Sequence, residues 1–294
     1  MIWELRLISV WFHMNIKEHE NEIELCDVTD FDLARIFECG QCFRWNVDGD
    51  GVYSGVAFDK FLRVRREHSS VFISGSRDDF DHIWYDYFDL SKDYEKIRKL
   101  LSIDDFMKKA TNAGKGIRIL RQDKWETLCS FIISQRNNIP RIKKIVEALC
   151  SEFGDRVEDK LTKSYYYTFP KPQVIASLTT QDLAPISCGY RDKYIISAAK
   201  DIVQKNPDLD MLPDAAIEIA RNELLRLHGV GNKVADCVLL FGLHKLDAFP
   251  VDVWMERAVL EHYGKDFDST IFSPYSGIAQ QYIFDYVRNT QNGK

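Results

Sequence analysis

The sequence predicts an α+β fold, with an N-terminal antiparallel β-sheet subdomain followed by a mostly α-helical core that contains a two-helix hairpin. Two stretches of patterning and one turn predict it. Between about Glu22 and Ser76, apolar and polar residues alternate in segments rich in aromatic and β-branched side chains. Examples are Cys42-Phe-Arg-Trp45, Val52-Tyr-Ser-Gly-Val56 and Phe61-Leu-Arg-Val-Arg65, with Asp-Gly turns between runs. From Asp78 onward the apolar spacing lengthens to the helical period. Ile97, Leu100 and Leu101 repeat, and Trp125, Leu128, Cys129 and Ile132 fall on one stripe. The turn is Arg226-Leu-His-Gly-Val-Gly-Asn-Lys233, which joins a helix ending near Arg226 to one beginning near Asn232. Loops are marked by Asn112-Ala-Gly-Lys-Gly116, Phe169-Pro-Lys-Pro172, Asn206-Pro207 and Leu212-Pro213. The expected division is an extension over residues 1–13, a sheet subdomain over 14–112 and a helical domain over 113–294, with no internal repeat or low-complexity segment.

Composition excludes several classes. A chain of 294 residues with 45% hydrophobic and 29% charged residues can bury a full core. No apolar run approaches the roughly 20 residues that a membrane span needs, and candidates such as Val238–Leu243 end at polar residues. Met1–His13 is apolar, but Glu4 and Arg6 interrupt it and no small-residue cleavage site follows, so it fails as a signal peptide, and Met14 is a candidate start. Seven scattered cysteines without a secretory signal predict reduced thiols and an intracellular protein, in the cytoplasm or nucleoid if the chain is bacterial. Cys39 and Cys42 form a C-x-x-C, but no second pair stands at zinc spacing. The net charge of −6 argues against uniform attraction to DNA, yet residues 108–144 hold ten basic residues against two acidic ones, which is either a solvated basic face or a nucleic-acid surface.

The hairpin turn carries the chemistry. Gly229 and Gly231 are expected to allow backbone conformations closed to other residues, forming a helix-hairpin-helix signature. Backbone N–H groups around Gly229, Val230 and Gly231 would then face outward and bind a DNA phosphate, as helix N-termini bind anions. A plain helical hairpin is the alternative. Lys233 stands in the first turn of the second helix, where the helix dipole disfavours a cation. A nucleophilic amine must be unprotonated, a state an ordinary lysine reaches only about once in a thousand at neutral pH, and the dipole favours that state. A lysine placed against the local rule points to function. Asp252, in Phe249-Pro-Val-Asp-Val253, precedes a helical run and reads as an N-cap, a catalytic carboxylate, or both.

These residues resemble the helix-hairpin-helix DNA glycosylases with a Gly/Pro-rich loop and catalytic aspartate, specifically the 8-oxoguanine glycosylases. The likeness rests on Leu227-His-Gly-Val-Gly-Asn-Lys-Val-Ala-Asp-Cys237 and Pro250-Val-Asp-Val253. It extends to Gly40-Gln-Cys-Phe-Arg-Trp45, to Leu120-Arg-Gln-Asp-Lys-Trp-Glu126 with Phe131-Ile and Asn137-Asn-Ile-Pro-Arg141, and to Ala279-Gln280 with Phe284, covering most of the chain from about residue 22. The resemblance implies that Lys233 is the nucleophile and Asp252, nineteen residues later, the essential carboxylate. It implies that the Gly40 carbonyl accepts a hydrogen bond from N7–H, a proton that 8-oxoguanine has and guanine lacks. Gln280 would read the Watson–Crick edge of the flipped base, held between Phe284 and Cys237. The spacing of four between Lys233 and Cys237, and between Gln280 and Phe284, puts each pair on one helical face. Without the family, Cys237 and Phe284 would read as core residues.

The implied activity is excision of 8-oxoguanine through a lysine Schiff base, with AP lyase cleavage by β-elimination. The implied partner is double-stranded DNA containing 8-oxoguanine, bound by a monomer away from any membrane. Arg141, Tyr190 and Arg191 match positions that support the orphaned cytosine and wedge the vacated stack, with Asn137 beside them. Arg136 stands where the family has an asparagine, and Trp254 where animal-type members have a histidine, which points to a separate, bacterial branch. No cofactor is implied for the chemistry, although related hairpins hold a monovalent or divalent cation on backbone carbonyls that here fall on Leu225, Leu227 and Val230. No cysteine follows Cys237, so the iron–sulfur cluster of endonuclease III-like relatives has no ligands. Competing readings are an alkylated-base glycosylase, which generally lacks the hairpin lysine, an oxidised-pyrimidine enzyme, and a catalytically silent DNA-binding module.

Overall fold

Alternation of apolar and polar residues gives the first layer its shape, because a strand buries every second side chain. In the computed structural model, which describes residues 15–159 and 163–292, six strands form one antiparallel sheet. They are β1 (Asn15–Glu18), β2 (Glu22–Cys26), β3 (Trp45–Val47), β4 (Tyr53–Ala57), β5 (Lys60–Glu67) and β6 (Ser70–Ser74), in the order β1-β2-β6-β5-β4-β3. Leu25, Leu62, Val64, Val71 and Ile73 are buried on one face. Covering that face are helix α1 (Leu33–Glu38), through Ile36 and Phe37, and the helical segment 77–87, through Phe80, Trp84 and Tyr87. The ring of Phe37 stacks on Trp45 at 3.9 Å. The sheet thus begins earlier than the alternation predicts and is interrupted by α1. The expected extension over residues 1–13, and Met14, lie outside the described residues.

The helical core packs around α2 (Lys124–Ser134), α3 (Ile139–Phe153), α4 (Arg191–Val203), α5 (Ile217–Leu225), α6 (Asn232–Cys237), α7 (Val253–Tyr263) and the terminal α8 (Ser276–Asn292). Residues 238–242 continue α6 as a widened turn. The core of the sheet layer draws on residues 23–90 together with Leu120, while Phe43 packs into the helical core. The helices Tyr94–Leu101 and Asp105–Ala113 bury Ile97, Leu101, Met107 and Ala110 in the helical core, and α8 packs along the second of them. Leu100, expected on that apolar stripe, is exposed. A short hairpin, Arg156–Glu158 with Tyr165–Tyr167, adds a second sheet that the helical pattern did not announce. Among the described residues no helix is long and apolar enough to cross a membrane.

Part of the basic run over residues 108–144 turns inward. Arg118 is buried, donating to the carbonyls of Asp30 (2.9 Å) and Asp89 (3.1 Å). Lys143 donates to the Trp45 carbonyl at 2.6 Å, and Lys124 pairs with Asp210. Charge counted along the chain therefore overstated the basic surface. Cys39 and Cys42 are buried thiols that donate to the carbonyls of Ile36 and Phe37.

Asp89 joins the two layers. Its buried carboxylate lies 3.2 Å from His244 Nε2, 3.4 Å from both Lys92 Nζ and Arg121 Nη2, and accepts from the Tyr94 hydroxyl at 3.0 Å. Burial alone would raise its pKa, but His244, Lys92 and Arg121 hold it at about 2, below the ordinary 3.8. A depressed carboxylate pKa contributes stability that is fully present above the unfolded value and is lost as pH falls through the folded one. Urea unfolding is therefore expected to lose on the order of 2 kcal/mol from this group between about pH 4 and pH 2. Asp89→Asn should lower stability at neutral pH by about 2 kcal/mol, because the half-buried Lys92 and Arg121 lose the anion they face, and should flatten that part of the acid dependence.

Candidate active site

The hairpin between α5 and α6 is built on one obligatory glycine. Gly229 has φ +85°, and a Cβ there would run into the ring of Tyr194. Its carbonyl accepts from the Gln135 side-chain amide at 3.0 Å, and the Val230 N–H closes the turn onto the Leu227 carbonyl at 3.1 Å. Gly231 differs from the expectation. It caps α6 in an extended conformation, φ −100° and ψ 179°, with open space where a Cβ would stand. Any residue can adopt that backbone, so the absence of a side chain there leaves room beside the hairpin rather than permitting the turn.

Lys233 is the second residue of α6, as the sequence predicts. Its Nζ donates to Ser134 Oγ at 3.3 Å and lies 4.9 Å from the centre of the Phe131 ring, so the end of α2 anchors the amine. One turn along α6, Cys237 is buried, and burial pushes its thiol up to about 11, leaving it neutral beside the lysine. Asp252 is the N-cap of α7. Its Oδ1 accepts both the Trp254 N–H (3.0 Å) and the Met255 N–H (2.9 Å), and its second oxygen makes neither of these capping bonds. Both readings of Asp252 as a helix cap and as a cleft residue therefore hold in geometry.

Three further walls complete the cleft. Gly40 has φ +88°, and a Cβ there would sit 3.3 Å from Ile139 and 3.8 Å from Phe284. From α8 come Gln280, buried, and Phe284 one turn later. Lys233, Asp252, Gly40, Cys237, Gln280 and Phe284, six residues separated widely in sequence, line one cleft together with Phe131, Pro250 and Gln281. The cleft holds about 50 Å³, room for one or two water molecules. Admission of a bicyclic base thus requires its walls to part. A larger concavity of about 860 Å³ lies against the sheet, but its Lys60 and Arg65 are committed to Asp79 and Glu22. Size does not mark the site; convergent chemistry does.

The residues expected against the duplex divide into two groups. Arg136, in a left-handed conformation (φ +47°) between α2 and α3, is exposed, as are Arg141 and Tyr190. Asn137 donates its amide to the Ile133 carbonyl at 3.1 Å. Arg191, expected to face the orphaned base, is buried instead. Its guanidinium donates to the carbonyls of Gln135, Arg136 (3.1 Å) and Cys188 (3.1 Å), because the turn after α2 leaves carbonyls that need donors. Sequence reading missed the roles of Ser134, Gln135 and Gln281. Each is a polar residue in or next to a helix, with no local signal of the partner that folding supplies.

Comparison with known proteins agrees with this geometry. Residues 24–128 match the family described as 8-oxoguanine DNA glycosylase, N-terminal domain, and residues 129–270 match the HhH-GPD superfamily of base excision DNA repair proteins. The N-glycosylase/DNA lyase of Saccharomyces cerevisiae is 32% identical over 272 residues, covering 83% of this chain and 69% of the yeast protein. A structure of MBOgg1 in complex with a low-affinity DNA ligand superposes with a TM-score of 0.90 at 42% identity, over 96% of this chain and all of that one. The Clostridium acetobutylicum 8-oxoguanine glycosylase/lyase, in complex with dsDNA containing cytosine opposite 8-oxoG, superposes with a TM-score of 0.88 at 36% identity, covering 94% of this chain and 98% of that one. Fold and site thus define a helix-hairpin-helix DNA glycosylase with a lysine and an aspartate at its centre. The chain belongs to the 8-oxoguanine DNA glycosylase family.

The two hairpin glycines separate stability from binding. Gly229→Ala should cost more than about 2 kcal/mol in urea unfolding, since it combines positive φ with a clash. Gly231→Ala should cost about 1 kcal/mol or less, the loss of a preferred cap. It should still weaken duplex binding in a fluorescence-anisotropy titration, because its methyl fills the space beside the hairpin amides.

Proposed function

We propose that this protein removes 8-oxoguanine from duplex DNA, with Lys233 as nucleophile and Asp252 as the carboxylate that supports the reaction, and then nicks the strand by β-elimination. The observation that carries this reading is the convergence of Lys233, Asp252, Gly40, Cys237, Gln280 and Phe284 on one cleft. A silent DNA-binding module has no use for a lysine and a carboxylate brought together beside a base-sized platform.

The steps follow from the positions. Extruding the base costs a few kcal/mol, less for a lesion. Its face stacks on Phe284, and the neutral Cys237 closes the other side. The neutral Lys233 amine attacks C1′, the C1′–N9 bond breaks, and its electron pair leaves with the base, which takes up a proton. The sugar ring then opens to an imine linking C1′ to Nζ. Loss of a C2′ proton expels the 3′ phosphate. Asp252, fixed through Oδ1 by two amides, offers its other oxygen to the positive charge that develops on the sugar.

On the duplex side, the amides of Gly229, Val230 and Gly231 bind a phosphate, Tyr190 wedges the stack, and Arg136, Asn137, Arg141 and Arg191 support the opposite base, Arg191 acting through the backbone that it holds. No cofactor enters the chemistry. A monovalent or divalent cation fits the carbonyls of Leu225, Leu227 and Val230, hard oxygen donors at a helix end. Leu227 O keeps a lone pair beyond the one that accepts Val230 N–H. One chain supplies every residue of the cleft, so a monomer suffices, and a duplex substrate puts its work where the cell keeps its DNA, the nucleoid if the cell is bacterial.

Borohydride reduction on an 8-oxoguanine duplex should trap a covalent adduct with the native protein and none with Lys233→Gln. No native adduct, or an undiminished one in the variant, rejects the mechanism. Asp252→Asn should keep the helix cap, since Asn caps as well as Asp, and leave the thermal midpoint within a few degrees while excision falls a hundredfold or more. Asp252→Ala should lose the cap too, about 1 kcal/mol.

A further inference from the structure

Next to Gln280 stands a residue with no assigned role. Gln281 is buried to the same extent as Gln280, lines the same cleft, and donates its Nε2 to Gln280 Oε1 at 2.7 Å. Its own Oε1 is buried and has no hydrogen-bond partner among the described residues. A buried amide oxygen without a donor costs free energy comparable to a lost hydrogen bond, and folded proteins rarely leave one unused. At the wall of a cleft that must open for a base, such an acceptor is held for the ligand.

We propose that Gln281 reads the flipped base together with Gln280. Resting on the assignment of this cleft as the 8-oxoguanine site, the inference goes further by making base reading a property of two coupled amides. The bond between them ties their orientations. With Gln280 Oε1 taken by its neighbour, Gln280 presents its NH2 group, a donor for the O6 carbonyl of the base. Gln281 Oε1, with two lone pairs, presents an acceptor for both N1–H and the exocyclic N2–H. If both amides rotate together, donor and acceptor exchange places, and the pair still offers one of each. A guanine edge carries one acceptor beside two donors: the free NH2 group meets O6, and the free carbonyl oxygen, with two lone pairs, meets both N1–H and N2–H, so loss of the exocyclic amine leaves one of those lone pairs without its donor. Sites that hydrogen-bond a substrate group reject analogues lacking it, because their own buried groups are then left unpaired.

The test uses the full chain with Gln281→Met, similar in volume but without the amide. Three duplex substrates are compared under single turnover: one with 8-oxoguanine, one with 8-oxohypoxanthine, which lacks the exocyclic amine, and one with a preformed abasic site. The native protein is expected to excise 8-oxoguanine about tenfold faster than 8-oxohypoxanthine. The variant is expected to excise 8-oxoguanine about tenfold more slowly, to treat the two bases alike within about a factor of two, and to nick the abasic duplex at the native rate. That last step needs Lys233 but no base, so it reports folding and chemistry apart from reading. Retained rate and discrimination in the variant overturn the proposal. Loss of excision and abasic nicking together also overturns it, assigning Gln281 a structural role only. A native protein that nicks the abasic site but never excises 8-oxoguanine overturns the functional reading itself, and this inference with it.

Discussion

The cleft depends on the buried amide of Gln41. Its Nε2 donates to the carbonyls of Ile36 (2.9 Å) and Arg118 (2.8 Å), and its Oε1 accepts from the Leu120 N–H (2.9 Å). Its backbone carbonyl accepts from the Gln122 side chain at 2.7 Å. Fully satisfied amides in a dry interior are rigid, since any displacement leaves several groups unpaired at once. This stitch holds the loop after α1 against the segment leading into α2, and Gly40 immediately precedes Gln41. Two further contacts fasten α1 to α8, the Arg35–Asp285 pair at 2.6 Å and the Arg288 guanidinium on the Glu38 carbonyl at 3.0 Å. Gly40 and Phe284 face each other because both of their elements are pinned to α1.

A second set of bonds makes the DNA side one unit. The turn after α2 has Gln135 at its centre: its carbonyl receives the Arg191 guanidinium from α4, and its side chain reaches the Gly229 carbonyl of the hairpin. Ser134, one residue earlier, holds the Lys233 amine. The hairpin, the Tyr190–Arg191 corner and the Lys233 amine therefore share one short piece of backbone. Two hydrogen bonds from adjacent residues, one between Gln135 and the Gly229 carbonyl and one between Ser134 and the Lys233 amine, tie the hairpin and the lysine to this turn.

Much of this was legible in sequence because it is local. Alternation located the sheet, the Gly-x-Gly turn located the hairpin, and the spacing of four put Lys233 with Cys237 and Gln280 with Phe284 on shared faces. What sequence could not give is where tertiary contacts decide. The helices Tyr94–Leu101 and Asp105–Ala113 are amphipathic either way, and only packing assigns them to the helical core. Arg118 and Arg191 look like surface charges until buried carbonyls claim them. Gln281 escaped notice for a geometric reason. Adjacent helical residues point about 100° apart and do not face each other, and only the length of two glutamine side chains lets their tips meet. The family resemblance supplied the chemistry that spacing alone left open, above all the choice between cap and catalyst for Asp252.

The geometry does not force that choice, since Asp252 caps the helix and also lines the cleft. A catalytic carboxylate must be held at a fixed angle in a cleft where its neighbours move, and a side chain hanging from mid-helix has free rotors that cost entropy to restrain. At an N-cap the second and third N–H groups of the helix need acceptors in any case. Asp252 satisfies them with one oxygen, and the same two bonds that complete α7 orient the other oxygen. Lys233 is fixed by a parallel economy, its amine drawn to Ser134 and the Phe131 ring at the end of a helix already required for the core. Lys233 and Asp252 are thus held by groups that folding had to satisfy anyway, which is how a cleft assembled from distant segments keeps its geometry without further dedicated contacts.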